Sequence, residues 1–232
     1  MSKIERDTNS NKIFLKIVDG GLKQKAAKGI PEAVEREWTA GGESGTVWEI
    51  PHKAVYGKIT NVSFYEGEKD GRKFRTLNIQ LDENENGNIP IIAVGIDTKY
   101  AQEILKRLPN VNFDEEVRIR PYSFLPENED KNIVGVELTQ RDTQGEFKKK
   151  VDNYFYDAEK KASKNGYPIP PKEKDEMTNK DWRRFFEDAN DFVIEYIKEN
   201  VCPRFTEEGK KNVRMDAALD SRDDIDPKDI PF

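Results

Sequence analysis

The chain has 232 residues, 35% hydrophobic and 36% charged, with a mean hydropathy of −0.89 and a formal net charge of −6. No apolar run approaches the ~20 residues that cross a bilayer, so neither a membrane helix nor a membrane partner is expected. Twelve Phe, eight Tyr and three Trp nevertheless supply a real core.

The charge is unevenly spread. Residues 1–150 carry 24 basic and 25 acidic side chains, and 151–215 carry 13 and 14. The last seventeen residues hold six Asp against Arg222 and Lys228. Acidity is therefore concentrated in the tail, and the body is free to carry local basic surface. Cys202 and His52 are the sole residues of their types, which excludes a disulfide framework and a Cys/His zinc site. Neither metal nor cofactor is expected. The start, MSKIERDTNSNK, lacks the apolar stretch of a signal peptide, and a cytoplasmic location is expected.

From Asn11 to Arg141 the sequence reads mainly as strands. Lys12–Val18 alternates and stops at Asp19-Gly20-Gly21. Gly21–Gly45 is ambiguous, and its Lys23, Lys25 and Lys28 could line a mobile loop. Val55–Tyr65 and Phe74–Leu81 flank a polar Gly-containing segment, a hairpin signal. Ile89–Val94 is a short apolar strand, and Asp97–Leu108 has helical spacing. Val117–Leu125 and Ile133–Thr139 complete the strands. About five strands with one helix before the last pair predict a small Greek-key barrel such as an OB-fold. An SH3-like barrel or a β-sandwich would read similarly.

After Lys150 the pattern turns helical. Val151, Tyr154, Phe155, Ala158 and Ala162 fall on one helical face. Beyond a Pro-rich loop, Thr178–Val201 repeats Trp182, Phe185, Phe186, Ala189, Phe192, Val193, Tyr196 and Ile197 at helical spacing, with Thr178 or Asn179 as cap. The expected organisation is a β-barrel domain over 1–150, a helical hairpin over 151–203 packed on it, and a disordered acidic tail over 204–232. The aromatic stripe reads as core.

The tail closes on Asp223-Asp224-Ile225-Asp226-Pro227-Lys228-Asp229-Ile230-Pro231-Phe232. A purely solvating tail would not end on apolar residues. A terminal Phe offers a ring for a pocket and a carboxylate for a neighbouring cation, and the upstream aspartates steer it toward a basic groove. This ending resembles the tip of bacterial single-stranded DNA-binding proteins, in which an acidic tail closes with Asp-Ile-Pro-Phe. The resemblance covers about ten residues. It implies an OB-fold body that binds single-stranded DNA during replication, recombination or repair. Asp223, Asp224, Asp226, Asp229, Ile230, Pro231 and Phe232 would then recruit partner proteins of those processes. The Gly-, Gln- and Pro-rich linker of that family is missing, and its tetramer is not carried over, so self-association stays open. Acidic, Phe-ended tails also occur in bacteriophage members that diverge in the body. A phage origin, with function in the host cytoplasm, is the preferred reading.

Sequence-tolerant binding of a single strand needs cations for phosphates and aromatic faces for bases. Period two places Arg118, Arg120, Tyr122 and Phe124 on one face of a strand, opposite Val117 and Ile119. Lys12, Phe14 and Lys16 share a face opposite Ile13, Leu15 and Ile17. Tyr56 with Lys58, and the hairpin residues Arg72, Lys73, Phe74 and Arg75, are further candidates. Trp38 and Trp48 have no assigned role.

No G-x-x-x-x-G-K-[ST] loop is present, which argues against an ATP-driven helicase or recombinase. Asp114-Glu115-Glu116 and Asp82-Glu83-Asn84-Glu85 could hold Mg²⁺ in a nuclease, but their turn-like surroundings favour solvated charge. A non-enzymatic binding protein is expected. The rivals are an adaptor or inhibitor that uses the tail on host replication proteins without binding DNA, and a Mg²⁺-dependent nuclease.

Overall fold

Alternation of buried and polar residues produces most of the regular structure. In Arg72–Leu81, Leu77, Ile79 and Leu81 are buried while Thr76, Asn78 and Gln80 point the other way, the period-two pattern of a sheet covered on one side. The computed structural model describes residues 11–40, 43–69, 71–127 and 129–206, with the backbone alone at Ala40, Glu43, Lys69 and Arg72. The acidic tip at 223–232 lies outside the described residues.

The strands are β1 (Lys12–Val18), β2 (Gly21–Lys25), β3 (Val34–Ala40), β4 (Glu43–His52), β5 (Val55–Gly57), β6 (Ile59–Lys69), β7 (Arg72–Leu81) and β8 (Ile89–Gly95). Helix α1 (Lys99–Leu105) precedes β9 (Val117–Phe124), β10 (Ile133–Gln140) and β11 (Lys149–Lys150). A two-residue ladder, β12 (Tyr156–Asp157) and β13 (Ala162–Ser163), comes before helix α2 (Asn179–Asn200). Among the described residues no helix is long and apolar enough to cross a membrane.

The protein is mainly β, but the expected five-stranded barrel does not close. One sheet has seven strands in the order β3-β4-β2-β1-β8-β7-β6, and the other has four in the order β11-β10-β9-β5. The expected hairpin is present as β6-β7, although its first run, Val55–Tyr65, divides into β5 of the small sheet and β6 of the large one; β8 pairs with β7 and β10 with β9. The edge of β8 that could have closed on β10 is taken by β1, paired in parallel with Leu15 opposite Ile92. Helix α1 packs against β10. The segment sequence left ambiguous became β2, β3 and β4, which extend the large sheet. Lys23 and Lys25 therefore stand on a paired strand rather than in a mobile loop.

A bend passes the chain from the small sheet to the large one. Asp82 Oδ1 accepts the Lys58 backbone N–H at 2.9 Å, and the Asp82 N–H donates to the Lys58 carbonyl at 2.9 Å. Gly57, at φ +148°, is needed there because a Cβ would meet the Asp82 carboxylate.

The expected helical hairpin is a single helix. Residues 151–162 form turns and the short β12-β13 ladder instead. Asn153 Oδ1 accepts the Phe155 N–H, and Asp157 Oδ1 accepts those of Glu159 and Lys160, so side chains compete for the backbone donors a helix would use. Tertiary packing completes the override. Phe155 is buried within an aromatic cluster with Tyr154, Tyr167, Phe192 and Tyr196, at centroid separations of 5.1–5.9 Å. Tyr196 donates its hydroxyl to Tyr154 at 2.8 Å, and burial with that bond pushes the Tyr196 phenol up to about 12.

Helix α2 forms as its periodicity predicts. Thr178 caps it in a box with Asp181, which accepts the Thr178 N–H, an arrangement of about 1 kcal/mol. Its C-terminal half buries Val193, Ile194 and Ile197 in the same core as the strands. The stripe read as core is split, however. Trp182, Phe185 and Phe186 pack mainly on one another, and Phe186 stays 56% exposed.

Candidate nucleic-acid interface

Over the central strands of the seven-stranded sheet one face is apolar and covered, by Leu15, Leu22, Val62, Leu77, Ile79 and Ile92 among others; the register defines what the other carries. On β6 and β7 it holds Asn61, Ser63, Tyr65 and Gly67 opposite Gln80, Asn78, Thr76 and Phe74. Through β8 the same side continues to β1, where Lys12, Phe14 and Lys16 pair with Ile89, Ile91 and Ala93. On β2 it presents Lys23, opposite Lys16, and Lys25. Among the described side chains from β6 to β2, this face contains four lysines and no carboxylate. The first acid is Glu49 on β4, opposite Lys25, and it is held by Arg36 through two hydrogen bonds of 2.7 and 2.9 Å. Those bonds keep the Glu49 carboxyl below its usual range, with further help from Lys23 and Lys16.

The rings on this face are in water. Phe14 is 54% exposed, Tyr65 55% and Phe74 42%. Tyr65 and Phe74 stand side by side, 5.9 Å between centroids. The reason is the position of α2, which takes the reverse side of the β6-β7 hairpin: Lys198 lies over the Phe64 ring, and Arg75 reaches Asp191 at 3.2 Å. With one side occupied by the helix, the other is left open.

This geometry sorts the predicted site residues. Lys12, Phe14 and Lys16 share an exposed face, as alternation requires. Phe74 joins them, but Lys73 and Arg75 face the other side, opposite Glu68 and Glu66. Arg75 is further tied to Asp191 and, at 3.9 Å, Asp97. It is a structural cation joining the hairpin to the helix. Arg72 lies in β7, and its side chain is outside the described residues.

The four-stranded sheet brings together Tyr56, Arg118, Arg120, Tyr122 and Phe124. Tyr56 is opposite Arg118, and the β9 residues alternate outward, with Val117 and Ile119 buried behind them. Tyr122 and Phe124 are exposed neighbours, 6.1 Å between centroids. The arginines are not unpaired: Arg118 and Arg120 both reach Glu137 of β10, at 2.6 and 2.7 Å. Lys58 is exposed in the bend. The turn between β1 and β2 abuts this sheet, since a Cβ on Gly20 would collide with the backbone at Tyr122–Ser123.

Several residues escaped sequence reasoning. Tyr65 and the polar row Asn61, Ser63, Thr76, Asn78 and Gln80 belong to the open face. Their signal was available as polar residues alternating with apolar ones, Val62 and Phe64 in one arm of the hairpin and Leu77, Ile79 and Leu81 in the other. Trp38, left unassigned, is an exposed ring on the same face of β3 as Arg36. Phe147, which packs edge-on to Tyr56 at 5.2 Å beneath the Arg141 guanidinium, was announced by nothing local.

Three of the carboxylates considered for Mg²⁺ have structural partners, Glu115 accepting from Asn112 at 2.9 Å. Asp82 holds the bend, and Glu116 pairs with Arg141 at 2.6 Å. Among the described residues no three His, Cys, Asp or Glu side chains are grouped to hold a metal ion. Comparison with protein-family models, curated proteins and solved structures found no match in any of the three.

Proposed function

We propose that this chain binds single-stranded DNA without sequence preference and shields it during replication, recombination or repair. The strand lies along the open face of the seven-stranded sheet. Bases stack on Phe14, Tyr65 and Phe74, and phosphates meet Lys12, Lys16, Lys23 and Lys25. The observation that carries this reading is the charge of that face: in a chain of net charge −6, its β6-to-β2 part holds lysines and exposed rings and, among the described side chains, no carboxylate. Stacking is worth about 1–3 kcal/mol per base and tolerates any sequence, because every base has a π-face. Lysines supply the salt-dependent term. Tyr56, Tyr122 and Phe124 on the small sheet extend the surface, while the Arg118 and Arg120 charges are largely committed to Glu137.

The acidic segment ending in Asp229-Ile230-Pro231-Phe232 recruits partner proteins in this reading, which rests on its resemblance to the bacterial tips.

Anisotropy titration of labelled oligo-dT at two salt concentrations tests the strand-binding claim. The expected result is preference for single over double strands, with a log–log salt slope of about −0.7 per neutralised phosphate. Equal affinity for both forms, or no binding, overturns it. The second outcome would leave the tail-only adaptor. Deleting Ile230–Phe232 should abolish capture of replication proteins and leave oligo-dT affinity intact or raised.

A further inference from the structure

Three of the exposed rings share a feature that stacking alone does not require: each is the direct cross-strand partner of a glycine. Trp38 of β3 faces Gly45 of β4, Phe74 of β7 faces Gly67 of β6, and Tyr122 of β9 faces Gly135 of β10. In each pair the ring fills the volume a side chain would take. A Cβ on Gly45 would lie 3.0–3.1 Å from three atoms of the Trp38 indole. One on Gly67 would lie 2.5 Å from Phe74 Cζ and 3.0 Å from Tyr65. One on Gly135 would lie 2.7 Å from Tyr122 Cζ, with the hydroxyl nearer still. None of the three glycines has the positive φ that would demand glycine for backbone reasons. What they provide is the absence of a Cβ, so the ring reclines across the neighbouring strand with its outer side in water.

We propose that Gly67, Gly135 and Gly45 are positioning residues that lay Phe74, Tyr122 and Trp38 down as flat seats for unpaired bases. This rests on the single-strand reading above and adds to it the residues that set ring tilt. A Cβ beneath the ring lifts it toward a perpendicular stance, in which it offers an edge. A base gains most from a face. A Cβ at Gly67 also meets Tyr65, whereas the three atoms nearest a Gly135 Cβ all belong to Tyr122, and no lysine is among the atoms nearest either one.

The test compares Gly67→Ala and Gly135→Ala with Phe74→Leu and Tyr122→Leu, and with the paired double variants, for oligo-dT affinity and salt slope. Alanine suits extended backbone, so the variants should fold, and melting temperature is recorded for each. The glycine variants should lose affinity about fivefold or more, the lower end of one stacked base, with the salt slope unchanged. In the Tyr122→Leu background Gly135→Ala should cost nothing further, the coupling expected of two residues acting through one ring, and in the Phe74→Leu background Gly67→Ala should cost only what it takes from Tyr65. Rings over cross-strand glycines also stabilise sheets. If that is their whole role, the variants will melt lower yet bind like the unsubstituted chain, and the inference is overturned. Failure of the unsubstituted chain to bind oligo-dT overturns the function itself.

Discussion

On the four-stranded sheet Arg118 and Arg120 converge on one carboxylate, Glu137. On the seven-stranded sheet Lys12, Lys16, Lys23 and Lys25 have no ion-pair partner among the described residues. Both surfaces carry exposed aromatics, and both look basic in one-dimensional sequence. They differ in what the neighbouring strand supplies. A cation already bonded at 2.6 Å must lose that partner before it can gain from a phosphate, so its contribution is a difference of two similar terms. A solvated lysine only exchanges water and counterions. The large sheet should therefore dominate strand binding despite its weaker showing in any single strand.

The largest effect should come from inverting that charge. Lys16→Glu with Lys23→Glu puts two carboxylates at directly opposed positions on β1 and β2. Oligo-dT affinity should fall by roughly 10- to 100-fold at low salt, and the salt slope should shrink by about 1.4 units for two lost phosphate contacts. Arg118→Glu with Arg120→Glu should cost much less. Equal losses from the two pairs in parallel titrations would erase the distinction between the faces.

Ring deletions come next. Phe14→Ala and Phe74→Ala should each weaken binding by about 1–3 kcal/mol with the salt slope preserved. Phe186→Ala, an equally exposed ring on α2, should leave affinity unchanged. A matching loss at Phe186 would mean that exposure, not the sheet face, selects the contacts.

The same pairing rule explains what was legible in the sequence. Alternation within one strand put Lys12, Phe14 and Lys16 together, and Arg118, Arg120, Tyr122 and Phe124, because side-chain direction in a strand is a local property. Whether a cation is spent is not local: Glu137 lies nineteen positions from Arg118, and Asp191 lies 116 from Arg75. The barrel failed for a similar reason. The strands were visible, but the choice of β1 rather than β10 as partner for β8 is a competition between distant edges. At 151–162 an i, i+3, i+4 pattern was present, and the burial of Phe155 among four other rings outweighed it. The acidic tip was legible only by resemblance.

A gain should follow from releasing the paired arginines. Glu137→Gln keeps hydrogen-bond acceptance and removes the charge shared by Arg118 and Arg120. If the strand also crosses the small sheet, affinity should rise about two- to threefold and the salt slope should steepen by up to about 0.7 per freed arginine. Unchanged titrations would confine the strand to the large sheet and sharpen the contrast further.

The last effects to separate are in stability and in its pH dependence, and they divide the two sides of β4. Glu49 lies on the open face, and its carboxyl is depressed by the Arg36 hydrogen bonds. His52 lies on the inner side opposite Leu22, its Nε2 3.4 Å from Gln24 Oε1, and burial lowers its pKa. Both groups bind a proton less readily folded than unfolded, so each contributes stability at neutral pH that is lost on acidification. The windows differ. His52 acts first, as pH falls from about 6.5 toward its lower folded value, because the unfolded imidazole charges more easily. Glu49 acts below about 4.5, as the unfolded carboxylate takes up its proton and the folded one resists until lower pH. Melting temperature against pH should therefore decline in two steps. His52→Gln should remove the upper step alone. Glu49→Gln should shrink the lower one, to which Asp142, Asp157 and Asp181 also contribute because backbone N–H donors lower their carboxyls, and reduce stability at pH 7 by about 1.5–3 kcal/mol, the range for hydrogen bonds to charged groups. Because Glu49 neutralises Arg36 at the border of the lysine face, Glu49→Gln should also tighten oligo-dT binding slightly, whereas His52→Gln, on the covered side of the same strand, should not.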